Sequence, residues 1–312
     1  MEYRRLGSSG LKVSRLGLGG NTFGARVDAS GTGRIVAAAL DLGVNFFDTA
    51  NVYSRGLSET YLGAALAGKR AQAVIATKVH GRMGSGPLDR GSSRAHILPA
   101  VDASLVRLRT DYIDLLQLHG WDQETPIDET MRALDDLVRA GKVRYVGCSN
   151  FAAWQMTWAQ WTTDRHGWAP LVSIQPHYSL LFRDIERELL PACRALGIGI
   201  IPYAPLAGGM LTGKYREGEP APAGTRGHDN ERFARAIATP RNFAIVRKLE
   251  EWARRYEHSI TDVAIAWLLA QPAVATIITG VTAPEHVGIN VAAAAWTMTD
   301  DEAVEVSALA GD

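Results

Sequence analysis

Four side chains in the first half of this 312-residue sequence could act on a single proton: Asp48, Tyr53, Lys78 and His119. A free tyrosine, with a pKa of about 10, gives up its proton reluctantly at neutral pH, but an ammonium beside it stabilises the phenolate and lowers that value. Lys78 is expected to act on Tyr53 in this way, with Asp48 holding the lysine charged and aimed. His119 would donate a hydrogen bond to a substrate oxygen or help relay the proton. Such a set suits addition of a hydride to a carbonyl carbon while a proton reaches the oxygen. Singly, each residue has a plainer reading: a strand-end Asp and Lys as a structural ion pair, a buried His as a core residue, a lone loop Tyr as inert.

Placement favours chemistry. Asp48 ends an apolar run at 44–48, Lys78 one at 73–78 and His119 one at 113–119, and Tyr53 follows Asp48 just before a helical stretch. Adjacent strands lie ~4.8 Å apart, so residues ending three successive parallel strands can converge without any special loop. Eight such runs occur in all, the others being 14–18, 143–147, 172–175, 198–203 and 275–279. Most are nearly continuous in Val, Ile and Leu, as strands are when helices cover one face and a closed interior fills the other.

Stretches of helical period separate the runs, which predicts an α/β fold of the (β/α)8 TIM-barrel type in one domain spanning 1–312. A doubly wound sheet would have fewer strands and a glycine fingerprint after the first, which Gly17-Leu18-Gly19-Gly20 does not supply. Ile97, Val101, Leu105 and Leu108 repeat behind Ser92 and Ser93 as caps; Ile127, Met131, Leu134 and Val138 repeat behind Thr125 as cap and Pro126 as first-turn proline. Two further stripes, Phe151-Trp154-Trp158-Trp161 and Ile185-Leu189-Ala192-Leu196, read as helix faces packed on the sheet. A hairpin is expected from Tyr3 to Ser14 around Gly7-Ser8-Ser9-Gly10, closing the barrel's bottom. Between the last two strands lie a Gly- and Pro-rich loop, read as a lid or binding loop, and extra helices near 241–257 and 261–270; another helix is expected after the last βα unit.

With 33 basic and 33 acidic residues, no net field recruits nucleic acid or an anionic membrane, and 46% hydrophobic residues support a full core. Cys148 and Cys193 are too few for a disulfide framework, pointing to a reducing, cytoplasmic setting. The amino terminus lacks a signal-peptide core, and no window approaches 18 uninterrupted apolar residues, so a soluble protein is expected.

The segments GVNFFDTANVY at 43–53, ATK at 76–78, DYIDLLQLH at 111–119 and GKVRYVGCSNF at 141–151 occur in the order in which the aldo-keto reductases carry their motifs, and over nearly its full length the chain resembles that family. The resemblance implies a (β/α)8 enzyme using a nicotinamide cofactor, with Tyr53 as proton donor, Lys78 and Asp48 as its tuning pair and His119 orienting the carbonyl. It implies Ser149, Asn150 and Gln175 as ligands of the nicotinamide amide and Tyr203 as the ring stacking on the nicotinamide face, with Gly20, Asn21 and Asp48 among the cofactor-facing residues. Pro205, Leu206, Gly208 and Lys214, in PLAGGMLTGK at 205–214, resemble the loop covering the pyrophosphate. Gly280, Thr282, His286 and Asn290, in GVTAPEHVGIN at 280–290, align with the segment around the adenosine 2′-phosphate, where a helix starting near Pro284 would turn its amides toward the anion.

Two segments depart from the family pattern. The usual basic or serine-rich cluster is reduced to Thr282 and His286, with Ile289 at an often acidic position; NADPH is expected, Arg226 offering an extra phosphate partner, and NADH stays open. His177 stands where an acid or amide is common. The expected activity is NADPH-dependent reduction of an aldehyde or ketone without a metal, in a pocket walled by Asn21, Tyr53, His119, Trp121 and residues near 80–86. The alternative is a nucleotide-sensing protein like the channel subunits related to this family, binding the nucleotide with slow turnover; an unrelated barrel isomerase or aldolase is a third reading. Oligomeric state and natural substrate leave no sequence signal.

Overall fold

The computed structural model describes residues 1–230 and 235–311, and the side chain of Arg226 lies outside that description. A two-stranded antiparallel hairpin, β1 (Tyr3–Arg5) and β2 (Lys12–Ser14), precedes eight parallel strands: β3 (Leu16–Gly19), β4 (Phe46–Asp48), β5 (Val74–Val79), β6 (Ile113–Leu118), β7 (Val143–Ser149), β8 (Leu171–Gln175), β9 (Gly199–Ile200) and β10 (Ile277–Gly280). Their order, β10-β3-β4-β5-β6-β7-β8-β9, follows the chain except that the last strand lies beside the first. The ring closes through backbone bonds at the remaining seam: Ile200 N to Ala273 O at 2.7 Å, Ala275 N to Ile200 O at 3.0 Å and Ile278 N to Pro202 O at 3.1 Å. This is the expected (β/α)8 barrel.

Alternation along the strands sorts side chains between the barrel interior and the helical shell. Phe46, Val74, Ala76, Leu115, Val172, Ile201 and Ala275 pack together inside, while Phe47, Ile75 and Leu116 join the cluster shared with the helices. Asp48 has the parity of Phe46, Lys78 that of Ala76, and Gln117 that of Leu115. All three therefore turn inward above the apolar plug.

The hairpin closes the floor. Leu6 and Val13 complete the interior cluster, and Ser8 N donates to Gly197 O at 2.7 Å. At Gly7, φ is +58° and a Cβ would stand 2.4 Å from the Val172 carbonyl oxygen, so only glycine admits this approach.

Helices α1 (Ala29–Asp41), α2 (Leu57–Ala65), α3 (Arg94–Leu108), α4 (Ile127–Arg139), α5 (Ala153–His166) and α6 (Leu189–Leu196) cover the outside. The helices Pro240–Arg255 and Ile260–Ala270 precede β10, and Pro284–Ala295 and Asp300–Ala310 follow it, as expected. On α3, Ile97, Val101 and Leu108 are buried behind Ser93, which caps His96 N. On α4 the cap differs from expectation: Pro126 occupies the N-cap position, and the Thr125 hydroxyl donates to Asp122 Oδ2 at 2.7 Å instead.

The tryptophan stripe also departs from expectation. Trp154, Trp158 and Trp161 are 57%, 45% and 55% exposed, and α5 instead buries Met156, Ala159, Gln160, Thr162 and Thr163. Only Phe151, before the helix, enters the core. The indoles find one another: Trp154 stacks on Trp158 with centroids 6.1 Å apart, and Trp121 packs against both. On the next stripe Leu189 is buried with Leu190 and Cys193, whereas Leu196 is exposed and Ile185 lies outside the helix.

Candidate active site

Three strands bring Asp48, Lys78 and His119 to one rim. Register pairs Asp48 with Ala76 and Lys78 with Gln117, so the stagger of the barrel lifts each strand end above its predecessor. The Lys78 ammonium is closed off from solvent and uses its donors on three oxygens: Asp48 Oδ2 at 2.6 Å, the Thr49 carbonyl at 2.8 Å and the Tyr53 hydroxyl at 3.4 Å. The second carboxylate oxygen of Asp48 accepts from Gln175 Nε2 at 2.8 Å and Gln117 Nε2 at 3.2 Å. Both oxygens being engaged, Asp48 is fixed as the counterion of a buried cation.

Tyr53 lies in the 3-10 turn Tyr53–Gly56, and its ring meets His119 edge-on with centroids 5.7 Å apart. The backbone amide of His119 donates to Val79 O at 2.9 Å, placing the imidazole directly beyond β6. Asp48, Tyr53, Lys78 and His119 are thus brought together.

The electrostatics correct one expectation. Burial pushes the Tyr53 phenol above its ordinary value, with Asp48 adding to the rise, and the downward pull of the Lys78 charge and hydrogen bond does not overcome it. Tyr53 therefore stays protonated through neutral pH. Burial acts to lower Lys78, but Asp48, Tyr53 and their hydrogen bonds outweigh it and hold the ammonium charged. Burial, followed by the neighbouring Lys78 and His80, pushes His119 down to about 3, so it is a neutral imidazole at physiological pH.

The residues expected to face a cofactor occupy the same rim. Ser149 Oγ donates to Gln175 O at 2.7 Å, and Asn150, at φ +57°, donates from Nδ2 to the His119 carbonyl at 2.9 Å while its Oδ1 accepts from Tyr203 Oη at 3.0 Å. Past Tyr203 and Pro205, the turn Ala207–Thr212 contains Gly208 and Gly209 at positive φ, with Leu206 at its N-cap. The Lys214 side chain crosses the space a Cβ on Gly209 would fill, 2.5 Å from its Cε. Gly280 pairs with Gly19, which sets Gly20 and Asn21 beside the end of β10, and Thr22 Oγ1 donates to Val281 O at 2.8 Å.

The helix Pro284–Ala295 has Ala283 at its N-cap, which offers no side-chain acceptor to the first amides. His286 lies 3.5 Å from the Thr282 hydroxyl, and Asn290 is buried on this helix while Ile289 is exposed. Trp121 turns its ring to Phe151, 5.2 Å away, as well as to Trp154 and Trp158. Arg226 opens the short helix Arg226–Asp229; its side chain, expected near phosphate, lies outside the described residues.

Sequence reasoning missed two contributors. Gln117, an amide inside an apolar strand, bridges Asp48 and Gln175, accepting from Gln175 at 3.4 Å; its inward parity was the available signal. Glu59 is buried yet paired, taking the Thr77 hydroxyl and Arg107 Nε at 2.6 Å each, which braces α2 against β5 and α3. His80, which opens the stretch expected to wall the pocket, adopts φ +137° just past Lys78, its Nδ1 3.2 Å from Ser92 Oγ.

A family model described as the Aldo/keto reductase family matches residues 15–310. The uncharacterized oxidoreductase YrpG of Bacillus subtilis is 40% identical over 291 residues, covering 90% of this chain and 87% of that protein. Versiconal hemiacetal acetate reductase of Aspergillus parasiticus is 37% identical over 328 residues, covering 97% and 95%. A probable voltage-gated potassium channel subunit beta of Arabidopsis thaliana is 38% identical over 299 residues, covering 94% and 91%. The chain belongs to the aldo/keto reductase family.

Proposed function

We propose that this protein is an NADPH-dependent reductase of aldehydes or ketones, with Tyr53 as the proton donor. The observation that carries the reading is the buried Lys78 ammonium held between the Asp48 carboxylate and the Tyr53 hydroxyl. A bound reduced nicotinamide supplies the hydride for the carbonyl carbon.

The chain's own residues handle the proton. Tyr53, kept protonated by burial, donates its hydroxyl proton to the substrate oxygen, and the phenolate left behind is met by the Lys78 charge. His119, neutral and edge-on to Tyr53, donates a hydrogen bond to the same oxygen and orients the carbonyl. Asn21 and Trp121 wall the substrate.

The residues present suit a nicotinamide dinucleotide. Ser149, Asn150 and Gln175 offer polar groups for the carboxamide, and Tyr203 an aromatic surface. The positive-φ turn at Gly208 and Gly209 and the Lys214 ammonium suit the pyrophosphate. Thr282, His286, Asn290 and the uncapped amides after Ala283 suit the adenosine phosphate. The two free, buried cysteines fit a reducing compartment such as the cytoplasm, and among the described residues no helix is long and apolar enough to cross a membrane.

Likeness to a probable potassium channel subunit beta favours a second reading, a nucleotide-sensing partner protein with slow turnover. Calorimetric titration with NADPH and NADH followed by a carbonyl turnover screen separates the two. The enzyme reading expects tighter binding of NADPH and rapid oxidation with some aldehyde or ketone; tight binding with negligible turnover across the screen supports the sensor instead.

A further inference from the structure

Resting on the cofactor reading above, we propose that His177 is a positioning residue that buttresses Tyr203 and fixes the plane on which the nicotinamide ring stacks. The two rings are parallel, 6° apart in orientation with centroids 5.2 Å apart, and Phe182 packs on His177 at 4.1 Å. An acid or amide at position 177 could hydrogen-bond but could not supply such a surface.

The main chain sets the stack. His177 and Tyr203 form a parallel bridge beyond the ends of β8 and β9, where Tyr203 N donates to Pro176 O at 3.0 Å. At the far end of the phenol ring, Tyr203 Oη donates to Asn150 Oδ1 at 3.0 Å. Backbone, hydroxyl and one ring contact thus hold Tyr203, and among the described residues no ring other than His177 packs on it. Burial pushes His177 below its ordinary value, the Asp184 carboxylate pulling the other way, so the ring stacks as a neutral imidazole. A neutral support places no charge behind an oxidised, cationic nicotinamide. A ring-on-ring contact of this kind adds to what area burial alone gives, enough to matter for the pose of a stacked ligand.

The test compares two ligands that differ only by the nicotinamide: NADP+ and 2′-phospho-ADP-ribose, each titrated calorimetrically into wild type, His177→Ala and His177→Phe. His177→Ala is expected to weaken NADP+ by roughly three- to tenfold while the fragment's affinity stays within about twofold, and His177→Phe to recover most of the loss. If His177→Ala does not fold, His177→Gln, which removes the ring but keeps polarity, carries the same comparison. Equal weakening of both ligands, or no weakening of NADP+, overturns the buttress while leaving the cofactor reading standing. A wild-type protein that binds neither ligand, and neither NAD+ nor ADP-ribose in the parallel titration, removes the cofactor reading and the buttress with it.

Discussion

Lys78 Nζ lies 3.4 Å from the Tyr53 hydroxyl with its side chain wholly withdrawn from water, which makes Asp48, 2.6 Å away, the counterion that permits a charge there at all. Tyr53 and the ion pair are therefore one electrostatic unit. Removing either charge alone leaves the other stranded in a medium that cannot solvate it.

Lys78→Met is accordingly expected to damage both stability and activity. An uncompensated buried Asp48 costs about 3–5 kcal/mol, read by urea unfolding. Single-turnover reduction should slow by roughly 10²- to 10⁴-fold, because the Tyr53 phenolate loses its neighbouring cation. The double variant Asp48→Asn with Lys78→Met should lose less stability than the sum of the single changes. Additive losses would show that the two charges do not depend on each other.

The pH response follows from the directions of the shifts. With His119 pushed down to about 3 and Tyr53 raised above its ordinary 10.0, neither group titrates between pH 5 and 9, so these residues leave kcat/KM level there. A limb near pH 6.5 that vanishes in His119→Gln would contradict this. Stability behaves differently. The folded state disfavours protonated His119, so between about pH 3 and the ordinary 6.5 the unfolded chain binds more protons and stability rises with pH. The contribution is complete above the ordinary 6.5 and is lost as pH falls from there toward about 3. His119→Gln should flatten that part of the pH dependence of urea unfolding.

The two faces of α5 make opposite predictions. Trp154→Gln and Trp158→Gln, at half-exposed positions, should each change stability by no more than about 1 kcal/mol, whereas Met156→Ala should cost about 2–5 kcal/mol. Chemical denaturation of the three variants checks the assignment; a large loss from either tryptophan change would place that indole in the core after all.

Much of this architecture is legible in the sequence because barrel strands are covered on both sides and read as near-continuous apolar runs, which makes a polar residue at their ends conspicuous. Asp48, Lys78 and His119 stand out for that reason. Periodicity failed at α5, since the spacing of Trp154, Trp158 and Trp161 shows that they share a face but not which face is inside; Met156, Ala159 and Thr163 share another and take the core. The rise in the Tyr53 pKa was illegible because it depends on burial, which competes with the Lys78 charge and wins. Gln117 was passed over because a strand interior gives no local sign that an inward amide will meet a carboxylate from two strands away. His177 shows as a departure from the family pattern, but its parallel contact with Tyr203 needs coordinates.

Single-turnover hydride transfer in Tyr53→Phe, at saturating cofactor and with nucleotide affinity verified, tests the proton-donor assignment most directly. The ring is kept and only the hydroxyl that meets Lys78 is removed. A fall of roughly 10²- to 10⁴-fold with nucleotide binding unchanged is the predicted result; transfer at close to the wild-type rate would contradict it.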